Sequence, residues 1–292
     1  MIMDANELYK KYSANYMGEG DNKRLENYHQ YRISSFTDLF RRNFSDNSQV
    51  IDYGCGDGVL KKNLGTERYI GIDPSDEMIH LAHLIFPDSK QEFLQGGLKE
   101  LRTVCLNTTP LLRARTVLIC LNTLPYMSND EVDEFFSIAQ EYQLPVIVSH
   151  TNELLDLVSY NRYTVEHRRN ILSDEDLEIY QQQFNEMLSY PDRPPKVSQV
   201  NVRFGDSNIN TSERDTITKF RVDPFKWPDA IAKKYGYNVQ EVQPIRIFAF
   251  PPAVMERDEQ SLALLHSDRF DFLPDTYKKI FCSQFRVVFI PK

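Results

Sequence analysis

The stretch Gln49-Val-Ile-Asp-Tyr-Gly-Cys-Gly-Asp-Gly58, followed one short helix later by Arg68-Tyr-Ile-Gly-Ile-Asp-Pro-Ser75, decides the fold. Val50 to Tyr53 reads as a short buried strand that breaks into glycines at 54, 56 and 58. A second strand, Tyr69 to Ile72, ends on Asp73 about 20 residues further on. A chain that leaves a buried parallel strand and turns at once into a helix needs permissive backbone angles there. A ligand approaching that main chain also needs side chains out of its way. Asp73, at the carboxyl end of the neighbouring strand, can accept hydrogen bonds from ribose hydroxyls. Together these residues describe a nucleoside pocket. A glycine turn that holds nothing is the competing reading of Gly-x-Gly alone, and the placement of Asp73 counts against it.

The same loop narrows the nucleoside. A dinucleotide fingerprint has a third Gly or Ala three residues after the second, so that a pyrophosphate can sit on the helix N-terminus. Val59 stands at that place. Asp52 and Asp57 would repel a phosphate, yet could hold the amino group of an amino acid directly or through water. Strand, glycines and the two acids resemble motifs I and II of class I S-adenosylmethionine-dependent methyltransferases. The resemblance spans roughly 46–150 and 225–292, with specific motifs only in the first part. It implies an α/β fold with a doubly wound, seven-stranded Rossmann-like sheet whose last strand is antiparallel, and S-adenosyl-L-methionine as cofactor.

The resemblance also implies a cofactor-binding set of Arg32, Asp52, Gly54, Gly56, Asp73, Pro74, Met78, Gly97, Asn122 and Leu124. Arg32, in the helix before the first strand, corresponds to an arginine that pairs with the cofactor's carboxylate; a solvated arginine on an amphipathic helix is the alternative. The family commonly ends its third strand on an acid that meets the adenine amino group, whereas this chain has Gln95-Gly-Gly-Leu98. Backbone groups of Gly96 and Gly97 would take that part, with Pro74, Ser75 and Met78 on the other face of the ring. Met78 is equally suited to the core. Cys120-Leu-Asn-Thr-Leu-Pro-Tyr126 resembles motif IV in position, which puts Asn122 and Leu124 beside the methionine moiety.

Beyond these motifs, short apolar runs alternate with helical stretches, the pattern of parallel strands joined by crossovers. Strands are expected at 50–53, 69–72, 91–95, 116–121 and 146–149, with helices at 59–64, 75–86 and 129–142. A helix over 229–235 stops at Gly236, a long strand follows over 239–250, and a last strand covers 282–290. Those final two strands, with no strong helix between them, should pair antiparallel. The domain plan is a tyrosine-rich helical cap over 1–45 and a cofactor-binding core over 46–150. An insertion over 151–222 is placed to cover the substrate, and 223–292 completes the sheet, itself interrupted at 251–277. The insertion's helical pattern, with Leu177, Tyr180, Phe184 and Leu188 on one face, fits a lid or a surface helix equally.

Composition excludes several classes. At 292 residues and 41% hydrophobic content the chain can bury a full core. A formal net charge of −8 and the lack of a Lys/Arg-rich stripe argue against nucleic acid as partner. Cys55, Cys105, Cys120 and Cys282 form no Cys-x-x-Cys pair, so no metal or iron–sulfur site is expected, and radical use of the cofactor is disfavoured. No stretch reads as a signal peptide or approaches the ~18 apolar residues of a membrane span, so a soluble, cytoplasmic protein is expected. Nothing fixes the oligomeric state.

Methyl transfer is an in-line displacement, for which a protein mainly aligns a nucleophile and excludes water. A hydroxyl nucleophile needs a base, and His150, closing Val146-Ile-Val-Ser-His150, is the best candidate; a structural histidine at a strand end is the other reading. Asn152 and Glu153 follow and could orient His150 or the acceptor, while His167 beside Arg168 and Arg169 is a second choice of base. The segment from His150 to Thr164, with Phe248-Ala-Phe-Pro-Pro252, loosely resembles bacterial methyltransferases of sugar and surface-polysaccharide modification. The expected function is therefore methyl transfer to a hydroxyl of a small polar metabolite, such as a sugar or nucleotide-linked sugar. An NAD-dependent oxidoreductase and a non-catalytic nucleoside-binding protein remain the alternatives.

Overall fold

The computed structural model describes residues 23–45, 48–66, 68–152, 222–247 and 274–292. Among them two compact units separate. Of the described residues, one holds 23–149, 229–243 and 286–292, the other 150–152, 222–228, 244–247 and 274–285.

The first unit starts with α1 (Lys23–Asn43), followed by β1 (Gln49–Tyr53), α2 (Val59–Leu64), β2 (Tyr69–Asp73), α3 (Asp76–Ile85) and β3 (Phe93–Gln95). Next come α4 (Leu98–Asn107), α5 (Pro110–Arg113), β4 (Thr116–Cys120), α6 (Asn129–Glu141) and β5 (Val146–Thr151). The later elements are α7 (Trp227–Tyr235), β6 (Tyr237–Ile247), α8 (Asp275–Phe281) and β7 (Cys282–Pro291). Seven strands make one sheet in the order β3-β2-β1-β4-β5-β7-β6. The first five are parallel, and the last runs antiparallel, as expected. The order reverses between β1 and β4. In open parallel sheets a crevice forms at the carboxyl ends of the strands at such a point.

Burial follows from the period-2 alternation of strands covered on both faces. On one face Val50, Tyr69, Val117, Ile119, Ile147 and Val288 pack with Phe36, Leu39 and Phe40 of α1 and with Ile79 and Ala82 of α3. On the other face Tyr53 meets Phe135 of α6 at 5.8 Å between ring centroids, and Phe136 meets Phe289 at 5.6 Å and Tyr235 at 5.4 Å. α1 is tied down at its end by Arg42 and Asn43, both donating to Glu241 of β6. Beneath it lies the guanidinium of Arg286, 3% exposed, which donates to Ser35 Oγ at 2.9 Å and Gln243 Oε1 at 3.1 Å. The same guanidinium lies 5.4 Å from the Phe36 ring centroid.

Several boundaries differ from expectation. Pro87–Glu92 forms a 3₁₀ turn, which a proline at its first position favours, and this confines the third strand to Phe93–Gln95 instead of 91–95. The fifth strand runs on to Thr151, and the long strand begins at Tyr237, directly after Gly236. A short helix, α8, of seven residues precedes the last strand, where no strong helix was expected. α4, not anticipated, buries only Leu101 and Cys105, too sparse an apolar stripe to stand out in sequence.

In the second unit His150, Thr151 and Asn152 continue the end of β5. Asn152 is fully buried, and its amide donates to the carbonyls of Lys279 at 2.8 Å and Cys282 at 2.7 Å, closing the end of α8. Trp227 lies against both His150 and Phe285, at 5.3 and 6.3 Å between centroids. The expected insertion over 151–222 lies outside the described residues except at its ends, and so do 1–22, Glu153, His167 and most of 251–277. No helix among the described residues is long and apolar enough to cross a membrane.

Candidate functional site

The crevice at the β1/β4 reversal is built by the glycine bend. Gly54 N–H and Cys55 N–H both donate to Ile72 O, at 2.7 and 3.2 Å, and Gly56 N–H donates to Asp73 Oδ2 at 2.8 Å. The bend is thereby stitched to the end of β2. Gly54 has φ 78°, and a Cβ there would stand 1.9 Å from Thr123 Oγ1, so Thr123 of the β4 loop seats directly on the bend. Gly56 also has positive φ, 55°, but a Cβ there would meet no atom within 4 Å. Open space above a bare backbone is what a close-lying ligand requires. Gly97 is likewise open, and its N–H donates to Glu100 Oε2 at 2.8 Å.

Three carboxylates surround the bend. Asp73 is buried; its Oδ1 accepts from Ser75 N–H at 2.9 Å and its Oδ2 from Gly56, which leaves each oxygen a lone pair for a ribose hydroxyl. Burial pushes its pKa up, against the pull of those two backbone donors. Asp57 is raised by burial too. Asp52, 1% exposed, accepts from the Tyr69 hydroxyl at 2.6 Å. Its pKa is pushed up to about 7, chiefly by burial, with the Tyr69 hydrogen bond opposing and the Asp73 and Asp57 charges adding to the rise. A site holding three acids at this cost of desolvation favours a cationic group and opposes an anionic one.

Register explains the Tyr69–Asp52 pair. Tyr69 lies opposite Val50, and Gly71 lies opposite Asp52, so the tyrosine side chain passes over a residue without one to reach the carboxylate. The signal in sequence is Tyr-x-Gly in β2, which sequence reasoning did not use.

At the end of β4, Asn122 takes φ 61°, a left-handed conformation that Asn tolerates better than most residues. Its N–H donates to Ser149 Oγ at 2.7 Å, and Ser149 Oγ donates to Asn122 Oδ1 at 3.3 Å. Leu124 is fully buried and Met78 nearly so, and Pro74 is exposed beside the Ser75 cap of α3. Arg32 lies in α1 one turn before Phe36, the residue that packs with Val50 of β1.

His150 belongs to the other unit. It is buried, 5.3 Å from Trp227 and stacked at 6.5 Å on Phe285. Its Nδ1 accepts from Thr151 N–H at 3.0 Å, which puts the proton of the neutral ring on Nε2.

No family model matches the chain, and no curated protein is similar to it in sequence. Solved structures are similar to it in fold. Magnesium protoporphyrin IX methyltransferase from Synechocystis PCC 6803 with bound SAH aligns at a TM-score of 0.50 and 12% identity, over 92% of this chain and 86% of that one. A SAM-dependent methyltransferase from Archaeoglobus fulgidus aligns at 0.46 and 13%, over 93% and 100%. Small RNA methyltransferase HEN1 aligns at 0.47 and 16%, over 90% of this chain and 25% of that one. The first of these likenesses bears on the fold, which is the Rossmann-like methyltransferase fold.

Proposed function

We propose that the chain is an S-adenosylmethionine-dependent methyltransferase acting on a hydroxyl of a small polar metabolite, a sugar or nucleotide-linked sugar. The observation that carries this reading is the open space over Gly56 beside the Asp73 carboxylate, with Asp52 and Asp57 close by. Asp73 suits the ribose, the bare bend suits a ligand lying on the backbone, and the acids suit the ammonium of an amino-acid arm. Arg32 and Asn122 complete the proposed methionine end, and Pro74 and Gly97 the adenine end, with the buried Leu124 and Met78 backing the two ends from the core. When bound, S-adenosylmethionine supplies a methyl group already activated by a positive sulfur. The chain's own residues then orient the acceptor and keep water out.

The acid cluster counts against an NAD-dependent oxidoreductase, whose pyrophosphate would sit among carboxylates, as does Val59 heading α2. A net charge of −8 supports a small acceptor over a nucleic acid. Four free, buried cysteines suit a reducing compartment, and we assign the enzyme to the cytoplasm.

His150 is the proposed base. Its Nδ1 lone pair, the basic site of the neutral ring, is engaged by Thr151 N–H and must be released for proton uptake. Its stacking on Phe285 favours a second reading as a packing residue. Transfer of labelled methyl from S-adenosylmethionine to a panel of hydroxyl-bearing sugars and nucleotide sugars tests the proposal. Incorporation that fails in His150→Ala, with cofactor affinity retained, is the expected outcome. Incorporation unchanged in that variant would assign His150 to packing, and incorporation only into amines would overturn the hydroxyl acceptor.

A further inference from the structure

Ser149 is 2% exposed, the one hydroxyl residue in the buried run Val146-Ile-Val-Ser149. Its oxygen accepts from the backbone N–H of Asn122, and its single proton goes to Asn122 Oδ1. The reverse setting of the carboxamide would leave that hydroxyl proton without an acceptor among the described residues, a buried loss that protein interiors avoid. Asn122 is half-buried at the carboxyl end of β4, next to Thr123, which seats on the glycine bend. Among the described residues its amide nitrogen donates to none. Its polarity is therefore set: the oxygen is taken, and two N–H groups remain for a ligand.

We infer that Ser149 is a positioning residue that fixes the Asn122 carboxamide as a hydrogen-bond donor for the carboxylate of the cofactor's amino-acid arm. This deepens the reading of the pocket given above and rests on it. A donor suits the carboxylate, whereas the ammonium has no lone pair and the sulfonium, being positively charged, is a poor acceptor; Asp52 and Asp57 stand in the same site for the ammonium. The left-handed backbone at Asn122 is part of the device, because one serine oxygen holds both the main chain and the side chain of that residue.

The test is calorimetric titration of two nucleosides that differ only by the amino-acid arm, S-adenosylhomocysteine and 5′-methylthioadenosine. Asn122→Gly, which keeps the left-handed backbone, and Ser149→Ala should each weaken S-adenosylhomocysteine by about tenfold while methylthioadenosine stays within about twofold. Ser149→Thr restores the clamp hydroxyl and should recover most of the affinity. Asn122→Asp places a carboxylate against a carboxylate and should bind S-adenosylhomocysteine more weakly than Asn122→Gly does. Equal losses for both nucleosides, or tighter binding by Asn122→Asp, would overturn the inference while leaving the pocket intact. A parent protein that binds neither nucleoside would overturn the pocket itself, and the inference with it.

Discussion

A carboxyl group in the middle of a parallel sheet, 1% exposed and close to two further acids, keeps a single hydrogen bond from Tyr69 in the described structure. With its pKa pushed up to about 7 from 3.8, folded Asp52 holds a proton that the unfolded chain has released between those values. Stability attributable to this group therefore falls as pH rises from about 4 to about 7 and stays low above that range. Asp52→Asn, neutral and still able to accept from Tyr69, should be more stable to unfolding than the parent at pH 8, by up to ~4 kcal/mol, and so melt higher, with the gain gone at pH 3. A lower melting temperature at pH 8 would contradict this. Gly54 and Gly56 separate folding from binding in the same loop. Gly54→Ala must displace Thr123 and should lose about 2 to 4 kcal/mol in denaturant unfolding. Gly56→Ala meets only open space and the cost of its left-handed φ, about 1 kcal/mol. It should fold and yet fail to bind S-adenosylhomocysteine in a titration. The glycines and Asp73 were legible because their spacing alone encodes the bend. Thr123, Tyr69 and Ser149 were not, because each acts across strands that the sequence does not place side by side.

Among the elements, α1 has the most unusual support. Arg286 would be read as a surface residue of the last strand, since long charged side chains seldom lie buried. It is instead buried under α1, between Ser35, Gln243 and the Phe36 ring. Arg286→Ala should destabilise the protein by about 2 to 4 kcal/mol, through lost packing and stranded partners. Hydrogen exchange should then rise first in α1 around Ser35 and Phe36. A loss spread evenly over the sheet would contradict that anchoring role. Strong periodicity made α3 and α6 readable to within a residue at each end, helped by Ser75 and by the Ser128–Glu131 capping box. α4 escaped because two buried residues in ten make no periodic stripe.

At the scale of the whole chain, the parallel half of the sheet followed from alternation of apolar runs and crossovers. The position of β7 between β5 and β6 depends on pairing between segments more than a hundred residues apart in one case, and no local pattern encodes it. The likeness to a solved methyltransferase at 12% identity is a likeness of fold alone. Cofactor binding should also stabilise the fold, by ~2.7 kcal/mol at a hundredfold excess over Kd. The central claim is that the bend holds an adenosine bearing an amino acid, gripped at its ribose by Asp73. The most direct test is calorimetric titration of the parent and of folded Asp73→Ala with S-adenosylhomocysteine and with NAD. The expected outcome is binding of S-adenosylhomocysteine by the parent, affinity in the variant down by a hundredfold or so, ~2.7 kcal/mol, and no binding of NAD to either. Tight binding of NAD, or S-adenosylhomocysteine affinity indifferent to Asp73, would contradict it.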